Sequence, residues 1–411
     1  MIAPGRSALH FVVLTVLIDS IGYGIVMPVL PSIVMQLGHV DLPAATRIGG
    51  WLGVVYAAVQ FLTGPLIGNL GDRFGRRPVI VGALGGFAID YALMGFAPSL
   101  AWLFVGRALA GFFGSSFGPA AAAVADVSAP EDRARGFGMM GAAFGIGFII
   151  GPAVGGLLGE IGPRAPFYAA AVIAAANFLF GLFVFPETFA PELRRPFEWR
   201  RANPAGALLS LRNLPGILPL AFVSFWWNLA SMVYPSAWAF YALAAFGWTP
   251  GMVGLSLAMV GALMAASQIF LVGRVVKRIG ERRAALLGLS VAGLQFLCYM
   301  LLRDGRGVFL VFFLMPFQSL VMPSLGALSS RRVPADRQGE LQGFSGSLGS
   351  IAAILAPAMF NPLLAYFTRP DAPFYFVGAP FALAAAATLV AIGGLVLVGR
   401  SARQTPPATA S

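Results

Sequence analysis

The chain alternates long apolar runs with short polar breaks. From His10 to Val398 the apolar runs are each about 20 residues or longer, the length an α-helix needs to cross the roughly 30 Å hydrocarbon core of a bilayer. Twelve such runs are expected, at 8–36, 47–70, 78–97, 100–127, 136–158, 165–186, 214–243, 249–272, 283–302, 307–330, 338–366 and 373–399. The expected fold class is an all-α integral membrane protein with 12 transmembrane helices. The first run follows Arg6 as a signal peptide would, yet it continues past Pro28 almost to His39 with no small-residue cleavage site. It is read as a retained first helix.

The longest polar break separates the sixth and seventh runs and carries Glu187, Glu192, Arg194, Arg195, Glu198, Arg200 and Arg201. It divides the chain into an N-terminal six-helix half (1–186), a cytoplasmic linker (187–213), a C-terminal six-helix half (214–399) and a short tail (400–411). An internal repeat supports the division. The stretch GNLGDRFGRR at 68–77 is echoed by GRVVKRIGER at 273–282, and APEDRARG at 129–136 by VPADRQGE at 333–340, offsets of 205 and 204 residues.

Composition sharpens this picture. Hydrophobic residues make up 58% of the chain and charged residues 10%, whereas a soluble protein carries about a quarter charged residues, so an ordinary cytosolic fold is excluded. The net charge of +11 raises the question of a nucleic-acid partner. Its placement answers it. With a cytoplasmic N-terminus, 21 of the 27 basic residues fall on the cytoplasmic side, five on the other, and Arg107 inside a run. This is the charge asymmetry of a membrane protein with both termini in the cytoplasm, and no nucleic-acid partner is expected. A lone Cys298 excludes an internal disulfide, and His10 and His39 sit near the two ends of the first run. With no phosphate-binding loop, no H-E-x-x-H pair and no spaced Cys/His cluster, neither an enzyme nor a cofactor is expected.

The residues Gly68, Leu70, Asp72, Arg73, Gly75, Arg76 and Arg77 follow G-x-L-x-D-R-x-G-R-R, which resembles the loop two–three signature of the major facilitator superfamily. The physical reading is that Gly68 lets two helices pack closely while Asp72 pairs with arginines and a helix end in one conformer. In the fifth run Gly147, Gly151, Pro152, Gly155 and Gly156 resemble the antiporter pattern of that superfamily. The stretches at 17–31, 71–80, 105–111, 125–138 and 280–284 are similar to drug/proton antiporters, the tetracycline efflux proteins in particular. The resemblance implies two parallel six-helix repeats and export by alternating access. It also shows two departures. The histidine of the eighth span and the aspartate of the ninth, which couple protons in the tetracycline pumps, fall here at Met264 and Ala292.

Asp19, Asp90 and Arg107 lie inside the apolar runs, where a charge is costly enough to mark function. At about 1.5 Å per residue, Asp19 is roughly 16 Å along its run, Asp90 about 18 Å and Arg107 about 10 Å. A carboxyl that exchanges a wet for a closed setting can load and release a proton, which makes Asp19 the first candidate for proton coupling, since the resemblance places span one at the central cavity. It places span three toward the periphery, where Asp90 reads either as a coupling acid or as a supporting, structural one, and Arg107 either tunes a carboxyl or binds an anionic substrate group. Alternatively Arg107 forms a permanent structural ion pair with one of the two acids. Asp126 reads as a gate or helix-end residue. Substrate-cavity candidates are Trp227, Asn228 and Ser231 on the aromatic seventh run, with Gln268 and Gln318 in the eighth and tenth.

The expectation is a monomeric proton-coupled antiporter, in contact with lipid, protons and a small amphipathic substrate. Its 26 Arg against one Lys point to a bacterial inner membrane. Two alternatives stay open: a facilitator or proton symporter importing a metabolite, and a non-transporting sensor of the same fold.

Overall fold

A computed structural model describes residues 4–114, 117–129, 132–197, 216–334 and 337–404. Among them, twelve helices are long and apolar enough to cross a membrane: Ala8–Gly38, Leu42–Phe74, Arg76–Gly95, Leu100–Val127, Arg135–Ile161, Ala165–Val184, Ile217–Phe246, Pro250–Ile279, Glu281–Leu301, Gly305–Ser330, Gln338–Thr368 and Ala379–Val398. We number these spans one to twelve. Of the linker expected over 187–213, residues 198–213 lie outside the described residues, as does the tail beyond Gln404.

The ends shift where capping, not hydropathy, sets the boundary. Span two begins five residues earlier than expected because the Asp41 carboxylate accepts a hydrogen bond from the Ala44 N–H (3.0 Å) and Pro43 suits the first turn. Span eight runs seven residues further, to Ile279, where Gly280, with a φ of +79°, stops it. Span twelve starts at Ala379, six residues later than expected, because the chain through Asp371 and Pro373 is not helical.

Proline interrupts the spans from within. Pro28 and Pro31 divide span one into α-helices Pro4–Val26 and Leu30–Gly38 around a 3-10 turn at Met27–Val29. Span seven breaks at Met232, where Pro235 has no N–H to donate to Ser231. Span eight contains a π-helical turn, Gln268–Val272.

The chain forms two compact units. The first comprises Met1–Pro204 with Trp238–Ala262, and the second Ala205–Ala237 with Leu263–Ser411. In the first unit span one packs on spans four, five and six, span three on four and six, and span two on four. The second repeats this scheme: span seven packs on eleven and twelve, nine on ten and twelve, and eight on ten. The shared pairing is the structural counterpart of the sequence repeat.

The segment Trp238–Ala262, the end of span seven and the start of span eight, belongs to the first unit by its contacts. Trp238 Nε1 donates to Ser256 Oγ (2.9 Å), which ties the two helices of this hairpin together. Glu160, at the end of span five, accepts a hydrogen bond from the Gly251 N–H (2.7 Å) in the first turn of span eight. A Cβ on Gly156 would lie 2.6 Å from the Pro250 carbonyl and 3.0 Å from Gly254 Cα, so the backbones touch because neither glycine carries a side chain.

Candidate functional site

The first unit concentrates its charge between spans one, two, three and four. Asp90, on span three, is fully buried, and among the described residues neither carboxyl oxygen has a hydrogen-bond partner. Span four passes it at Gly106, where an added Cβ would lie 2.9 Å from Asp90 Oδ1. The next residue, Arg107, does not form the ion pair considered from sequence. Its guanidinium lies over the ring of Tyr56 on span two, 4.4 Å from the centroid, and its buried Nε has no hydrogen-bond partner. An aromatic face holds the cation here, so that Arg107 acts on Asp90 through its charge alone, without a direct ion pair.

Tyr56 extends this cluster. Its ring packs 5.9 Å from that of Tyr23 on span one, and its hydroxyl accepts from Gln60 Nε2 (3.3 Å), which also donates to the Gly114 carbonyl (3.2 Å). Asp19, one turn before Tyr23, accepts a long hydrogen bond from Asn177 Nδ2 on span six (3.4 Å). Asp19, Asp90 and Arg107 are thus in one unit, joined by Tyr23, Tyr56, Gln60 and Asn177, none of which the sequence singled out. A lone polar residue in an apolar run was the available signal for Asn177.

The loop after span two is a lock of charges. Arg76, with its side chain 8% exposed, bridges two acids: Nη1 to Asp72 (2.6 Å) and Nε to Asp126 at the end of span four (3.1 Å). Its guanidinium also covers the ring of Phe189, 4.4 Å from the centroid. The backbone N–H of Arg76 donates to Glu187 (2.9 Å), and Arg77 donates to the Leu182 carbonyl (2.8 Å). Gly75, at φ +101°, turns the chain against Glu187, where a side chain would collide with that carboxylate. Arg73 takes no part in the lock: its guanidinium lies over Phe74, 5.0 Å from the centroid. Gly68 corrects an expectation: nothing lies within 4 Å of where its Cβ would stand, so in this structure it brings no helices together.

The second unit repeats this loop with its charges reversed. At the offset of 205 residues, Lys277 stands for Asp72, Glu281 for Arg76 and Arg331 for Asp126. Glu281 and Arg331 form an ion pair, and Gly280, like Gly75, has a positive φ.

The glycines of span five serve close approach. A Cβ on Gly147 would lie 2.5 Å from Ser20 Cβ, and one on Gly151 2.6 Å from the Ile21 carbonyl; Pro152 Cδ would be 2.7 Å from a Cβ on Gly24. Spans one and five therefore meet backbone to backbone, just beside Asp19.

The substrate-cavity candidates of the second unit scatter. Trp227 is 4% exposed and packs into the core, which removes it as a wall residue in this conformation. Asn228 donates to the Ser224 carbonyl (2.8 Å) and Ser231 to the Asn228 carbonyl (2.9 Å), so both spend donors within their own helix. Gln268 is exposed on the π-turn. Gln318 alone joins a polar network: it donates to Tyr234 Oη (3.2 Å) and to Gln295 Oε1, while Gln295 Nε2 donates to Tyr299 Oη (2.9 Å). Gln295 lies one turn past the buried Ala292, on the same side of span nine, so neutral amides and phenols occupy this region.

The chain is 39% identical over 360 residues to the class C tetracycline resistance protein of Escherichia coli, covering 88% of this chain and 90% of that one. It is 36% identical over 367 residues to the class G tetracycline resistance protein of Vibrio anguillarum, covering 87% and 90%. In fold it is similar to a bacterial homologue of the human lysosomal transporter Spinster, at a TM-score of 0.79 and 15% identity over 99% of this chain and 100% of that one. Residues 12–357 match the Major Facilitator Superfamily, and residues 228–409 match it again, as a repeated architecture would. With twelve spans, two similarly paired six-span repeats and these relatives, the chain belongs to the Major Facilitator Superfamily, a family of membrane transporters and not of enzymes.

Proposed function

We propose that the chain is a proton-coupled antiporter that exports a small amphipathic compound by alternating access, with tetracyclines the first class to test. The observation that carries this reading is the cluster in the first unit: Asp90 fully buried with no partner on either oxygen, Asp19 on one long amide hydrogen bond, and Arg107 held over Tyr56 instead of neutralising them. A carboxyl held inside a membrane protein without a direct ion pair can bind a proton in one conformer and release it in another, which is what a coupling residue does. Similarity to tetracycline resistance proteins supports the direction and the substrate class.

In this reading the two repeats are the halves expected at 1–186 and 214–399, both termini are cytoplasmic, the membrane is a bacterial inner membrane and the chain acts as a monomer. Asp72, Arg76 and Asp126 form a lock that one conformer keeps and the other breaks. Gly151 and Pro152 hold span five close against span one. Gln318 supplies hydrogen bonds to the substrate.

A second reading, import of a metabolite by facilitation or symport, is favoured by one observation: the polar network of the second unit, Tyr234, Gln295, Tyr299 and Gln318, contains no carboxyl group. The deciding experiment uses proteoliposomes with an imposed proton gradient and a pH dye inside, to which tetracyclines, cationic dyes and amphipathic antibiotics are added in turn. Substrate-dependent proton movement opposite to drug movement is expected. Co-directional movement selects the importer, and transport of a panel member with no proton movement removes the coupling.

A further inference from the structure

Asp19 touches one polar side chain from another span, and that side chain is itself incomplete. Asn177 is 1% exposed on span six; its Nδ2 donates to Asp19 Oδ1 at 3.4 Å, and its Oδ1 is buried with no hydrogen-bond partner. A buried amide oxygen without a donor is disfavoured, so native structures rarely keep one without a reason. A protonated Asp19 supplies such a reason, because the carboxylic acid is a donor where the carboxylate only accepts. Rotation of the amide about χ2, a broad and nearly two-fold torsion, exchanges Nδ2 and Oδ1 in the same space.

We propose that Asn177 is a positioning residue for Asp19 whose amide serves both states of that carboxyl, donating from Nδ2 to the carboxylate and accepting at Oδ1 from the acid. No proton leaves the pair in this exchange: the proton that Asp19 binds stays on the acid, and the amide turns to meet it. The proposal rests on the reading of Asp19 as the coupling acid.

The surroundings leave Asn177 this task. Span five meets the same stretch of span one with Gly147 and Gly151, which have no polar side chain. Span six carries no charged residue from Ala165 to Val184. Span three brings the Tyr91 hydroxyl, 3.0 Å from where a Cβ on Gly22 would stand, and Asp90. Span four brings Arg107, which is held by Tyr56, and at its far end Asp126, which is held by Arg76. On span one itself Tyr23 faces Tyr56. An amide that can present either a donor or an acceptor lets Asp19 keep one fixed position while its charge changes, without importing water into a helix contact that glycines have closed.

The test is an infrared difference measurement on the full chain in liposomes as the pH is lowered; the proton is the probe, so no substrate is needed. In the wild type a carboxylic-acid C=O band appears, and a side-chain amide band changes with the same midpoint. Asp19→Asn removes the Asp19 component of the acid band and the amide change that shares its midpoint, while Asp90 and the other carboxyls keep theirs. Asn177→Leu shifts the acid band and moves its midpoint by about 0.5 pH units or more, roughly a threefold change in proton binding. Asn177→Thr, whose hydroxyl both donates and accepts, returns the midpoint toward the wild type. An Asn177→Leu protein whose Asp19 band component and midpoint match the wild type, with Asp19→Asn still lacking that component, overturns the role of Asn177 and leaves the coupling reading standing. An Asp19→Asn spectrum identical to the wild type overturns both. If Asn177→Leu does not insert, the wild-type amide band decides alone: its absence while the acid band appears overturns the proposal.

Discussion

The two units pair their helices in the same way but fill them differently. In the first, Asp19, Asp90 and Arg107 lie among tyrosines and amides with no ion pair between them. In the second, Gln295, Gln318, Tyr234 and Tyr299 form a neutral network, and Ala292 is buried beside it. Their loops differ too: an arginine between two acids in one, an acid paired with an arginine in the other. A duplicated fold conserves what packing demands, which is helix pairing and the positive-φ glycine of the turn. It is free to divide chemistry between the copies. In this chain the division places buried carboxyls and a guanidinium in one unit and neutral hydrogen-bonding groups in the other.

The sharpest way to break that comparison is at Asp19. Asp19→Asn is expected to lower proton-driven export by about 100-fold or more, the scale of a lost proton-transfer group, while the protein still inserts and unfolds cooperatively. Vesicle transport with and without a pH gradient measures it, and wild-type export would return the proton chemistry to the rest of the molecule. Next in size is Arg76→Ala, which leaves Asp72 and Asp126 without their shared cation. Removing one partner of a well-buried pair costs about 3–5 kcal/mol. Because Asp72 is 43% and Asp126 22% exposed, we expect about 2 kcal/mol here, read as a lowered unfolding temperature in detergent.

In the second unit Gln318→Leu removes the amide that joins Tyr234 to Gln295. The loss is expected to be about 1–2 kcal/mol of stability and a raised KM, with the proton response of the first unit unchanged. A Gln318→Leu protein that loses its proton response would show that the neutral network also takes part in coupling. The smallest effect belongs to the reversed loop. Arg331 is 70% exposed, so Glu281→Gln is expected to cost about 0.5 kcal/mol or less, and a cost equal to that of Arg76→Ala would mean that the two loops are equivalent despite their opposite charges.

Much of the architecture was legible in the chain because a bilayer leaves few solutions. Hydropathy located all twelve spans, since a segment in hydrocarbon must satisfy its own backbone and therefore forms a helix. The expected ends fail where a side chain or a turn sets them, as Asp41 does for span two and Gly280 for span eight. Asp19, Asp90 and Arg107 were legible as charges in apolar surroundings. Their partners were not, because Tyr56 and Tyr23 are ordinary in a membrane helix and Asn177 lies 158 residues from Asp19 along the chain. Gly68 illustrates the reverse error: its place in a motif suggested close packing, and the space beside it is open.

By itself, then, the sequence determined the number of spans, the repeat, the family resemblance and the identity of the intramembrane charges, all properties carried by composition, local order or motif. The tertiary structure decided which groups meet: that an aromatic ring and not an acid holds Arg107, that Trp238–Ala262 joins the first unit, and that a half-satisfied amide stands against Asp19. Hydropathy is a sum over neighbours in the chain, whereas these contacts depend on which helix faces turn toward one another, and that is settled by packing between residues far apart in sequence.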